Sequence, residues 1–111
     1  MTLLPVDSND NVIPALALKP DGAKTVSAMT SISTRNATPF DSATRVLSLY
    51  ADVPVYIRFG EANVEAGSSD HYFPANVYYD FSIGGNGSDH TPYVAVLAAE
   101  ENGTVYISEK R

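Results

Sequence analysis

Hydrophobic and polar side chains alternate along most of this chain with the two-residue period of a β-strand. Between residues 46 and 60, Leu47, Leu49, Ala51, Val53, Val55, Ile57 and Phe59 share one parity. Ser48, Tyr50, Asp52, Pro54, Tyr56 and Arg58 share the other. A helix would not carry this pattern through Pro54. Proline cannot serve a central ladder either, so residues 52–54 predict a break between two strands. The pattern returns at Val77, Tyr79, Phe81 and Ile83, set against Asn76, Tyr78 and Asp80, after a turn at Pro74-Ala75. The C-terminal part predicts a hairpin, with strands over residues 93–99 and 104–108 and a turn at Glu100-Glu101-Asn102-Gly103. Asn-Gly suits a type I′ turn, whose two central residues both take positive φ.

The N-terminal half is less regular. Residues 12–18 and 24–33 are weaker strand candidates on either side of a turn at Pro20-Asp21-Gly22. Thr25, Val26, Thr30 and Ile32 supply the β-branched side chains that favour strands. Loops are expected over 35–43, 61–70 and 84–92, the last being the richest in glycine and the most flexible. Residues 1–10 predict a mobile arm ahead of one domain over residues 11–111, and no segment predicts a helix longer than one turn. Seven to eight short antiparallel strands separated by regular turn signals predict an all-β, single-domain β-sandwich, of which the jelly roll is one form.

Composition narrows the possible partners. A chain of 111 residues fits one domain with a small core. Charged residues make up only 18%, below the usual ~25%, so much of the surface must be Ser, Thr, Asn, Tyr and Ala. Such a surface suits a protein partly covered by neighbours. Thirteen acids against seven bases give a net charge of −6, and the bases are scattered. That argues against nucleic acid or an anionic membrane as a direct partner, because both are bound through clustered Lys and Arg. The absence of cysteine excludes thiolate metal sites and disulfides. The first residues have neither the basic start nor the apolar run of a signal peptide, and no stretch approaches the ~18 apolar residues of a membrane span. Cytoplasmic synthesis is therefore expected, with the sequons at Asn36, Asn86 and Asn102 read as turn residues.

Two segments repeat a polar triplet, Ser69-Asp70-His71 and Ser88-Asp89-His90, and they hold both histidines of the chain. Asp70, His71, Asp89 and His90 are thus the candidates for a metal or acid–base site built from adjacent loops. The alternative favours a loop turn closed by the aspartate, since no His-x-His or His-x-x-x-His spacing places two ligands on one element. Adjacency in sequence does not make a Ser-His-Asp triad, and no Gly-x-Ser-x-Gly elbow is present. Gly84-Gly85-Asn86-Gly87 lacks the lysine and helix of a phosphate loop. No catalytic residue, no cofactor and no enzymatic activity are expected. Tyr50, Tyr56, Arg58 and Tyr78 lie on the parity opposite the aliphatic stripe. They are candidates for a subunit interface, because Tyr and Arg are enriched at binding hot spots. Ordinary cross-strand pairing on a solvent face is the plainer account. A saccharide platform of tyrosines is weaker for want of tryptophan.

The order of four segments resembles a group of short structural proteins encoded in the head and tail modules of tailed phages and prophages. The segments are Ala43 to Ala51, Val55-Tyr56-Ile57-Arg58-Phe59-Gly60, Ser69-Asp70-His71-Tyr72-Phe73-Pro74-Ala75, and the ending Tyr93-Val94-Ala95-Val96 with Gly103-Thr104-Val105-Tyr106-Ile107-Ser108-Glu109. The likeness spans roughly residues 24–110 and rests on strand and turn motifs. It implies a virion component, made in a bacterial host, that self-associates and contacts other virion proteins as a head decoration, head–tail joining or tail-associated subunit. It makes Gly60 and Phe73-Pro74-Ala75 fold markers, with Gly60 at a turn that needs positive φ. The competing expectation is a β-sandwich that binds carbohydrate or a metal ion through loops 61–72 and 84–92.

Overall fold

The structure, a computed structural model, describes residues 17–84 and 90–110. Its elements are β1 (Leu18–Ala28), β2 (Thr34–Arg35), β3 (Val46–Ala51), β4 (Val55–Gly60), β5 (His71–Phe73), β6 (Tyr78–Ser82), β7 (Tyr93–Ala98) and β8 (Gly103–Lys110). They form two four-stranded sheets, in the orders β1-β8-β3-β6 and β2-β7-β4-β5. Every neighbouring pair is antiparallel. The partners β1–β8, β2–β7, β3–β6 and β4–β5 form one long ribbon rolled over on itself, which is the jelly-roll order. The predicted all-β sandwich is therefore present, with eight strands among the described residues. The expected arm over 1–10, most of the strand expected over 12–18, and Ser88 and Asp89 lie outside the described residues.

The aliphatic stripe of the sequence becomes the core. Leu47, Leu49 and Ala51 of β3 and Val55 and Ile57 of β4 are all at most 2% exposed. They meet Val94, Val96 and Ala98 of β7, Val105 and Ile107 of β8, and Val26 and Ala28 of β1. Each buried Val, Leu or Ile contributes about 1.5–3 kcal/mol relative to exposure. The turn 52–54 breaks the stripe where Pro54 predicted, and Asp52 fixes it: Thr104 N–H donates to Asp52 Oδ1 at 2.7 Å while Asp52 N–H donates to Thr104 O at 3.1 Å. β7 is apolar on both faces because Val64 and Ala66 of the 61–70 loop fold onto its outward Ala95, flanked by Tyr93 and Leu97. That loop is fastened by Ala66 N–H donating to Ser33 Oγ at 2.8 Å.

Five local expectations need correction. Pro20-Asp21-Gly22 does not separate two strands but lies inside β1. There the register shifts between Leu18↔Lys110 and Ala23↔Ser108, so the extra residues form a bulge. The strand expected over 24–33 stops at Ala28, and the chain turns before the short β2. Asn102 and Gly103 do not take positive φ, which among described residues occurs only at Asn76 (65°) and Gly84 (80°). No type I′ turn forms there, and the predicted hairpin is not made: β7 and β8 lie in different sheets, and residues 99–102 cross from one to the other. Asn102 Oδ1 instead accepts the Thr30 N–H at 3.0 Å, and a Cβ on Gly103 would come within 2.5 and 2.6 Å of the two Val53 methyls. Gly60 likewise lacks positive φ; its hydrogen leaves room for Val64, which a Cβ would meet at 3.0 Å. The loop expected over 61–70 is present, but the 61–72 loop of the ligand-binding alternative is cut short at His71–Phe73 by the edge strand β5, paired with β4 through Ile57↔His71, Tyr56↔Tyr72 and Val55↔Phe73.

Candidate functional site

Strand alternation sends Tyr50 to the outer face of the first sheet and Tyr56 and Arg58 to the outer face of the second. β3 and β4 share a parity in sequence but belong to different sheets. The four interface candidates therefore separate into two pairs on opposite sides of the sandwich. On the first sheet, Tyr50 is the direct cross-strand partner of Tyr78 on β6 and of Tyr106 on β8. The rings lie 4.8 and 6.3 Å from that of Tyr50, so three tyrosines form one row across three strands. The Tyr50 hydroxyl donates to Asn76 Oδ1 at 2.9 Å. Tyr78 is 72% exposed and Tyr106 48%. Tyr106 was missed by the sequence reading, although its place between Val105 and Ile107 gives it outward parity.

Around this row the outward positions are small or hydroxylated: Thr25 and Ser27 on β1, Ser48 on β3, Thr104 and Ser108 on β8, Ser82 on β6. The charged side chains at outward register positions of β3, β6 and β8 are Asp80 and Lys110. They pair with each other at 3.2 Å. Ser48 Oγ donates to the same Asp80 oxygen. The Ser48 hydroxyl first, and the Lys110 ammonium second, hold the Asp80 carboxyl below its ordinary pKa. The second sheet differs, because the 61–70 loop covers part of its outer face. Tyr56 there packs edge-on to Tyr72 at 5.7 Å, and Arg58 is exposed, with Nη1 3.8 Å from Asp70 Oδ1.

The histidine segments do different things. Asp70 closes a turn, its Oδ2 accepting the Gly67 N–H at 2.7 Å while Asp70 N–H donates to Gly67 O at 3.0 Å. His71 follows on β5, exposed, at the rim of a groove between the two sheets. His90 does not line that groove. Its Nε2–H donates to the Thr44 carbonyl at 2.9 Å, just before β3. Among the described residues no three His, Asp or Glu side chains gather as a metal site would require.

The groove has a volume of about 660 Å³ and is lined by Ile57, Arg58, Phe59, Asp70, His71, Phe73 and Phe81. It exists because β5 is only three residues long and leaves β4 unpaired on that side beyond Ile57. The aromatic residues of the edge strands are consequently half-buried. Phe81 stands edge-on to Phe73 at 5.3 Å and tilted to Phe59 at 5.4 Å. Among the described residues these features define an eight-stranded jelly roll with an exposed tyrosine face and an aromatic groove at an edge. No protein-family model, no curated protein and no solved structure matches the chain.

Proposed function

We propose that this protein is a non-enzymatic structural subunit of phage or prophage origin that works by self-association, with the outer face of the first sheet as its contact surface. The observation that carries the reading is the Tyr106–Tyr50–Tyr78 row on a face covered by no described segment. Tyrosine offers large contact area with few rotatable bonds, and it is enriched at binding hot spots. Charge names the occupant. Copies of a chain of net charge −6 repel one another, and this face is where they can meet without like charges opposed, since its acid and its base neutralise each other. A second copy presents the same neutral, hydroxyl-rich, aromatic surface. The particle role comes from the resemblance of the strand motifs, which extends over most of the domain.

The test has two arms. Sedimentation of the full chain should show a defined oligomer that Tyr78→Lys with Tyr106→Lys converts to folded monomer. A monomer at every concentration, or an oligomer indifferent to both substitutions, would remove the face from the proposal. Mass spectrometry of density-purified particles after prophage induction should find the chain in stoichiometric amount. Its absence from particles while the gene is expressed would sink the virion role.

A further inference from the structure

The groove between β5 and β6 has no part in the tyrosine contact and has a chemistry of its own. We infer that it is a saccharide-binding site. Three features of the groove lead there. Its floor is aromatic and only half covered, so the Phe73 and Phe81 rings can take the C–H face of a sugar ring. Its rim carries planar polar groups of both kinds. The Arg58 guanidinium only donates, the Asp70 carboxylate only accepts, and the His71 imidazole can do either. Vicinal hydroxyls need that mixture, because each is donor and acceptor at once.

The third feature is charge balance. Arg58 and Asp70 stand 3.8 Å apart, so the rim offers no net charge to select an anion or a cation. A wholly apolar ligand would leave these groups facing it without partners, which is costly. A neutral polyol with one apolar face is the ligand class that uses both floor and rim. The volume of about 660 Å³ falls within the roughly 300–1,000 Å³ usual for small-molecule sites. Asp70 is already held by the Gly67 N–H at 2.7 Å, so the acceptor is positioned before a ligand arrives. Arg58 is 63% exposed and joined to Asp70 only loosely. Its guanidinium is free to turn toward a hydroxyl.

The experiment is a titration of the isotopically labelled full chain with maltotriose, cellotriose and triacetylchitotriose, read by amide chemical shifts. At least one should produce saturable shifts centred on His71, Phe73 and Phe81. Arg58→Ala and His71→Ala, both at exposed positions, should leave the spectrum folded and weaken that binding about tenfold each, the size of one lost polar contact. Tyr106→Ala, on the other face, should leave it unchanged. No saturable shift with any of the three at millimolar concentration would overturn the inference, as would shifts confined to the tyrosine row. Neither result bears on self-association, which sedimentation reads separately.

Discussion

Glu109 is the residue on which one end of the sandwich is fastened. It continues the inward parity of Val105 and Ile107, is 2% exposed, and so carries a carboxylate into the margin of the core. Its Oε1 accepts the Thr44 hydroxyl and the Asp41 N–H, each at 2.8 Å, and its Oε2 lies 3.4 Å from Lys24 Nζ on β1. One side chain thereby ties the 36–45 loop and the β1 bulge to β8. Glu109→Ala leaves two donors and a largely buried ammonium without a partner, and should cost about 3–5 kcal/mol in urea unfolding. Lys24→Met with Glu109→Leu should recover much of that loss by replacing the pair with apolar contact. Gly103 is constrained differently, by the Val53 methyls that a Cβ would strike. Gly103→Ala should lower stability by about 1–3 kcal/mol through overpacking, with no change in the slope of the denaturation curve. The inward parity of Glu109 could be read in the sequence. Its three partners could not, because they come from segments brought together only by the rolled topology.

At the scale of the element, the longer strands were legible, the edge strand β6 among them, and the two shortest edge strands were not. β3, β4 and β8 carry apolar alternations, and β7 a continuous apolar run, because they lie inside their sheets and are buried by neighbours and the facing sheet, so pattern and burial agree. β2 and β5 span two and three residues, too short for any periodicity, and their existence depends on β7 and β4 being there to pair with. The β1 bulge defeated turn chemistry: Pro-Asp-Gly has the residues of a turn, yet pairing with β8 on both sides keeps the strand running. The same dependence on cross-strand neighbours governs Ser48, Asp80 and Lys110, which link β3, β6 and β8. The Asp80 carboxyl titrates lower in the folded chain than in the unfolded one. Its contribution is thus present at neutral pH, begins to fade as pH falls through the ordinary carboxylate range, and is gone below the folded value. Asp80 is mostly exposed, so the effect is small. Comparing wild type with Asp80→Asn in urea at neutral pH and near pH 3 should show a difference of under about 1 kcal/mol at neutrality that shrinks on acidification. A difference that grows on acidification would mean that the Ser48 and Lys110 contacts do not favour the ionised form.

For the molecule as a whole, the proposed mode of association makes a prediction about salt. Two copies meeting on the tyrosine face bring together surfaces whose one acid and one base are already paired, so little attraction is lost when ions screen the interface. The rest of each copy contributes to a net charge of −6, and that repulsion acts over distances that about 0.5 M salt, with a Debye length of roughly 4 Å, largely removes. Association should therefore strengthen as sodium chloride is raised from about 0.05 to about 0.5 M, where the Debye length falls from roughly 14 Å to roughly 4 Å. Sedimentation equilibrium across that series reads the dissociation constant directly. The opposite trend, weakening with salt, would place the contact on ion pairs. The second sheet is then the face to pursue, since Arg58 is an exposed cation there and the chain has acids in excess to meet it. Tyr56→Ala and Arg58→Ala would in that case break the oligomer, while Tyr78→Lys would leave it intact. Because the two faces lie on opposite sides of one sandwich, an assembly in which each face met its own kind would grow as a chain, and either set of substitutions alone would leave dimers and no free monomer.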